Sequence, residues 1–234
     1  MSTRRQFIQL ASAAGILLGT SPRFAGAAET LSREAQQALT PAAALQKLKD
    51  GNKRFVSGTM RKRDLMAQVK ASASGQFPFA CVIGCIDSRV GPELVFDQGI
   101  GDIFSPRIAG NFVNTDIIGS TEFTTKLAGA RLVVVLGHSA CGAVAGATDN
   151  AHLGNLTRTL SNIMPAVESV TDVQGERNST NAAFVQKVAE ANVRLNVAAL
   201  SNRSKILREL KQHGQLDIVG AMYNIANGQV TFFT

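Results

Sequence analysis

Two long apolar runs break an otherwise mixed pattern, FACVIGC at residues 79–85 and LVVVLG at 132–137. Neither alternates with polar residues. An unbroken apolar stretch of this length is what a strand covered on both faces requires. LDIVGAMY at 216–223 repeats the pattern, and DIFSPRIAG at 102–110 predicts a further strand. An Asn227-Gly228 turn then predicts that residues 229–233 fold back as an antiparallel edge strand.

Between these runs the spacing is helical. Residues 28–60 carry Ala44, Leu45, Leu48 and Phe55 at helical intervals after Thr40-Pro41, a favourable cap and first position. A second helix is predicted over 64–73, followed by a break at Gly75-Gln76-Phe77-Pro78. Residues 115–129 and the small-residue stretch 140–148 predict two more. From there to about 213 the chain reads as mostly helical, with a loop at 174–176. Ser179 or Thr180 is expected to cap a long helix, with a restart near Ser201 and an end at His213-Gly214. Helices alternating with apolar strands predict an α/β fold. Its mostly parallel sheet is flanked by helices, with an antiparallel C-terminal edge strand.

The ends change the picture of charge. The first 27 residues contain Arg4-Arg5, a mild apolar stretch and the small-residue end Ala25-Gly26-Ala27. That order predicts a signal peptide, and the arginine pair resembles the twin-arginine export type. The apolar part is too short for a spanning helix, so an N-terminal membrane anchor is not expected. The expected location is periplasmic or secreted, with residues 28–234 forming one domain and no membrane contact after cleavage. Removing 1–27 lowers Lys+Arg from 24 to 21 against 17 acids, so the mature net charge is about +4 and not +7. Arg61-Lys62-Arg63 reads as an exposed helix end. With no Trp and only Tyr223, a base-stacking platform is not expected, and neither is a nucleic-acid partner.

Candidate chemistry lies just past two of the strands. CIDSR (85–89) follows the first run and GHSACG (137–142) follows the second. In parallel sheets, sites gather beyond the carboxyl ends of strands. Two adjacent strands would bring Cys85, His138 and Cys141 to one point. Two thiolates and one imidazole suit tetrahedral zinc with one position left, which is the catalytic pattern. That position is open to water or to Asp87, and Arg89 is placed to hold Asp87 by a two-pronged pair. Cys81, four residues earlier on an extended strand, is about 13 Å from Cys85 and is expected to be a buried hydrophobe. His152 and His213 are expected at the surface or at a helix end.

The motifs C-x-D-x-R and H-x-x-C, with LKDGNKRFVSG (48–58), the continuation of the first motif to residue 111 and DIVGAMYNIANGQVTFF (217–233), resemble the β-class carbonic anhydrases. The resemblance implies zinc on Cys85, His138 and Cys141. It implies Asp87 paired with Arg89 in the active state, and Asp87 as a fourth zinc ligand in a closed state. It implies reversible hydration of carbon dioxide to bicarbonate and a proton; the cycle expected from these residues has zinc-bound hydroxide attack carbon dioxide held in an apolar pocket near Val90. A homodimer or homotetramer is also implied. Ser105-Pro106 replaces the family's usual apolar pair, which leaves the pairing of that strand open. Hydrolysis of carbonyl sulfide or carbon disulfide on the same site, or a non-catalytic zinc-binding envelope protein, are the alternative readings.

Overall fold

The computed structural model describes residues 30–233, so the expected signal segment at 1–27 lies outside the described residues. Five strands form one sheet in the order β2-β1-β3-β4-β5. They are β1 (Ala80–Gly84), β2 (Ile103–Phe104), β3 (Leu132–His138), β4 (Asp217–Tyr223) and β5 (Val230–Phe233). All neighbours are parallel except β4 and β5, which are antiparallel. β1 and β3 are fully buried along their lengths, as their unbroken apolar runs require.

The sheet is covered on both faces. On one face Ala80 and Val82 of β1 pack with Leu48 of helix α2 (Pro41–Val56) and with Phe79 and Phe96. On the other, Cys81 and Ile83 pack with Phe184, Val188 and Val193 of the long helix α9 (Ala182–Arg203). Phe79, Phe96 and Phe184 are wholly buried, and side chains of this kind contribute about 1.5–3 kcal/mol each. The remaining helices are α1 (Arg33–Ala38), α3 (Leu65–Ser72), α4 (Pro92–Val95), α5 (Thr115–Glu122), α6 (Gly142–Thr148), α7 (Gly154–Ser161), α8 (Met164–Ser169) and α10 (Lys205–Gln212).

Four expectations shift. The strand expected at 102–110 shrinks to two residues, because Pro106 has no N–H to give a ladder; pairing resumes only as a bridge between Gly84 and Arg107. The helix expected over 115–129 is α-helical only to Glu122 and widens into a π-helical turn, Phe123–Leu127, where Thr124 and Thr125 hydroxyls donate to the Thr121 carbonyl. Asn181, not Ser179 or Thr180, caps α9, because the Thr180 hydroxyl is already bonded to Asn178. The restart falls at Ser204, whose hydroxyl accepts from the Leu207 N–H and donates to Glu122.

The basic run also differs. Asp97 is fully buried with φ 46°, and it binds the side chains of Arg54 and Arg63 and the Arg61 N–H. Arg61 and Lys62 are exposed as expected, but the run is not a helix end: α2 stops at Val56 and Arg63 turns in to the carboxylate. The run is a strap that an interior carboxylate ties to α2. Burial alone would raise the Asp97 carboxyl, but the bonds from Arg63, Arg54 and the Arg61 N–H hold it below its ordinary value.

Candidate metal centre

β1 and β3 run side by side with Gly84 opposite Leu136, so Cys85, one residue past β1, lies level with Gly137 and one step from His138. His138 ends β3 and is wholly buried. The chain then turns sharply through Ala140, which holds φ 50°, a conformation that costs a non-glycine residue about 1–2 kcal/mol. The turn returns Cys141 to the N-cap position of α6, facing back toward His138. The ligand atoms of Cys85, His138 and Cys141 all lie within 4.8 Å of one another, and all three residues are buried.

The donors are prepared. The His138 Nδ1–H donates to the Ser139 carbonyl at 2.9 Å, which leaves Nε2 with its lone pair free. That Nε2 is buried and has no hydrogen-bond partner among the described residues. Ser139 is itself fixed, its N–H donating to the Tyr223 carbonyl and its hydroxyl accepting from the Ile225 N–H. The Gly110 N–H points at Cys85 Sγ at 3.4 Å. Gly110 has φ 82°, and a Cβ there would lie 2.4 Å from Ile163, so only glycine lets this backbone approach the sulfur.

The two sulfurs are unequal. The bond from the Cys141 thiol, more than any other influence, holds the Cys85 thiol below its ordinary value; His138 and the Gly110 and Asp87 N–H groups add to it against burial. Cys141 is pushed up by that same bond, by burial and by the Cys85 charge. The pair thus accepts one negative charge readily and resists the second, a conflict that a dication relieves. Two thiolates on tetrahedral zinc, each at about 2.3 Å, stand about 3.8 Å apart; here the sulfurs are 4.0 Å apart. The donor set fits zinc.

Asp87 is outside this three-atom group. Arg89 holds it, with Nε donating to Oδ1 at 2.9 Å, Nη2 to Oδ2 at 2.7 Å and the backbone N–H to Oδ1 at 2.9 Å. The Arg89 side-chain bond is the chief reason why the Asp87 carboxyl lies well below the usual carboxylate range. Its Oδ2 is nevertheless only 3.8 Å from His138 Nε2. Cys81 is a fully buried core residue, its thiol pushed up to about 12 by burial. His152 and His213 are exposed.

A cavity of about 300 Å3 opens beside Cys85 and Asp87, walled by Ile86, Ala109, Ala143 and Leu156 among others. It is not at Val90, which is wholly buried in the core layer with Leu48 and Phe96. Sequence reasoning missed Arg107, whose guanidinium donates to the carbonyls of Cys85 and Asp87. It also missed Gly110. The only signal for either was a glycine or a cation after a broken strand.

A mostly parallel α/β sheet with a buried thiol and imidazole cluster at its carboxyl edge defines an α/β protein with a candidate metal centre. The carbonic anhydrase family profile matches residues 80–230, the span that holds every side chain of the cluster. Carbonic anhydrase 2 of Mycobacterium tuberculosis is 36% identical over 195 residues, covering 81% of this chain and 91% of that protein. The solved β-carbonic anhydrase CafA of Aspergillus fumigatus superposes with a TM-score of 0.62 at 26% identity, covering 82% of this chain and 89% of that one. A tetrameric β-carbonic anhydrase of Sordaria macrospora gives 0.59 at 27% identity, covering 69% and 83%. The chain belongs to the β-class carbonic anhydrases.

Proposed function

We propose that this chain catalyses the reversible hydration of carbon dioxide to bicarbonate and a proton, with zinc held by Cys85, His138 and Cys141. The observation that carries this reading is the arrangement of three converging donors with a carboxylate held beside them by Arg89. Bound there, zinc would supply a Lewis acid that brings the pKa of a coordinated water toward neutrality. His138 offers Nε2 because its other nitrogen is committed to Ser139. Cys85 and Cys141 supply the negative charge that retains a dication.

Asp87 orients the nucleophile. Kept ionised by Arg89, it is an acceptor only, and its Oδ2 is close enough to the donor cluster to take a hydrogen bond from the attacking water. The neighbouring cavity, with its aliphatic wall, suits a small apolar molecule better than a hydrated anion. The water oxygen bonds to the carbon, one C=O π pair moves onto its oxygen, and the water's O–H bond breaks to release one proton to buffer, leaving bicarbonate. Stopped-flow measurement with a pH indicator tests the reading: hydration well above the uncatalysed rate supports it, and a rate equal to buffer alone refutes it.

Two further properties belong to this proposal. Export rests on the sequence of residues 1–27, and an intact Met1 on the mature protein would refute it. A homodimer or homotetramer is supported by the tetrameric relative and by exposed apolar side chains, with Met66 63% and Leu127 76% exposed. A single monomeric mass by light scattering would contradict it.

A further inference from the structure

We propose that Asn192, in the middle of α9, is a positioning residue that holds the Gly110 N–H against the Cys85 sulfur and so sets how firmly that sulfur binds the metal. The inference rests on the zinc reading above. Asn192 acts through a glycine and not on a donor directly. Its Nδ2 donates to the Gly110 carbonyl at 2.8 Å. The Gly110 N–H in turn points at Cys85 Sγ at 3.4 Å.

The close approach to sulfur needs a glycine, and a glycine brings no restraint of its own. Without a Cβ its backbone is free to rotate, so the direction of its N–H must be fixed from outside. The peptide unit that follows Gly110 is held at both ends. Its carbonyl accepts from Asn192, and its N–H, that of Asn111, donates to the Ile108 carbonyl at 3.0 Å. Asn192 is the side chain in this pair of restraints.

A second amide fixes the first. Asn196 lies one turn further along the same face of α9. Its Oδ1 accepts from the Val113 N–H at 2.8 Å, which turns its Nδ2 toward Asn192. That nitrogen donates to the Asn192 carbonyl at 2.7 Å and to the Asn192 Oδ1 at 3.0 Å. With its oxygen so engaged, Asn192 presents Nδ2 to Gly110. Every other buried residue of α9 is apolar. Two amides among them are costly unless bonded, and their bonds outside the helix go to residues 110 and 113. A hydrogen bond to a thiolate withdraws electron density from the sulfur and fixes its direction, and losing an outer partner of this kind weakens metal binding by about 10–100-fold.

The test begins with the unmutated chain loaded with spin-active cadmium. Its magnetic resonance spectrum should show a coupling between the metal and the Gly110 amide proton, carried through the Cys85 sulfur. In Asn192→Leu that coupling should vanish. The zinc dissociation constant, read by competition with a coloured chelator, should rise about tenfold. In the cobalt-loaded variant the thiolate-to-cobalt absorption band should move to lower energy, because the sulfur then holds its lone pairs less tightly. Arg203→Met is the control. It removes another bond from α9 to the same segment, that of Arg203 Nη1 to the Val113 carbonyl at 2.9 Å. It should lower the melting temperature and leave the band and the zinc affinity unchanged.

A cadmium-loaded wild-type protein without the coupling overturns the proposal, and that reading needs no variant to fold. An unmoved band with wild-type zinc affinity in Asn192→Leu overturns it equally. So does a shift of the same size in Arg203→Met, which would mean that any loosening of α9 disturbs the sulfur. A wild-type protein that takes up no metal sinks the zinc reading and this proposal with it, whereas one that binds metal without the coupling sinks this proposal alone.

Discussion

Arg89 grips Asp87 through both carboxylate oxygens, at 2.9 and 2.7 Å, while the nearer oxygen stays 3.8 Å from His138 Nε2. The carboxylate is close enough to be a ligand and is held as a neighbour. Because both members are partly exposed, the pair contributes little to stability; its importance is in where it puts one oxygen.

Arg89→Ala frees that oxygen. We expect hydration to drop by about 100-fold or more near neutral pH, the scale on which misplaced catalytic groups act. Melting temperature and zinc content should hardly change. Arg89→Lys should recover only part, because an ammonium cannot make the two-pronged contact. Near-wild-type turnover in Arg89→Ala, measured by stopped flow, would remove Asp87 from its assigned role.

The three cysteines should separate cleanly. Cys141→Ala and Cys85→Ala each delete a donor from the cluster and should abolish stoichiometric zinc retention through dialysis. Cys81→Ala lies outside it and should retain one zinc, losing about 1 kcal/mol for a small buried cavity. Metal analysis of the three variants decides; zinc loss in Cys81→Ala would contradict the assignment.

Asp97→Asn should destabilise the fold without touching the metal. Two arginines would lose their buried acid, at a cost of about 2–4 kcal/mol, less than for a wholly enclosed pair since Arg54 keeps 24% of its side chain exposed. The folded carboxyl is depressed, so its contribution is complete above the unfolded value of about 3.9 and is lost as pH falls through the lower folded value. Denaturant unfolding of both proteins from pH 7 to 3 should therefore show the gap constant to about pH 5 and closing below it. A gap that widens toward acid would contradict this.

Gly51→Ala reverses an ordinary rule. Alanine in mid-helix is normally worth about 0.5–1 kcal/mol over glycine. Here a Cβ would lie 1.8 Å from the Phe96 carbonyl oxygen, against backbone that cannot yield cheaply. The variant should be less stable, which a lowered midpoint in denaturant would show; an unchanged or raised midpoint would mean α2 and α4 are not so closely packed.

The unbroken apolar runs made β1, β3 and β4 legible, because burial on both faces leaves no polar alternation to misread. The donors were legible for a related reason: Cys85 ends one of those runs, His138 directly follows another, and Cys141 comes three residues after His138. The 102–110 segment was not legible as it stands. Its apolar residues read as a strand, while a single proline cut the ladder after Phe104. The Arg61–Arg63 strap was hidden because its partner, Asp97, is distant in sequence and nothing local marks a carboxylate as interior. Arg107 was hidden because its targets are backbone carbonyls, which every residue has. The cavity also moved from Val90 to Ile86, since facing direction past a strand end depends on the turn that follows.

The most direct measurement follows carbon dioxide hydration through removal and return of zinc on one sample. Chelation should bring the rate down to that of buffer while the circular dichroism of the fold persists. Added zinc should restore it linearly, saturating at one ion per chain. Full activity in protein shown to be free of metal, or saturation only at two or more ions per chain, would contradict a single centre built by Cys85, His138 and Cys141.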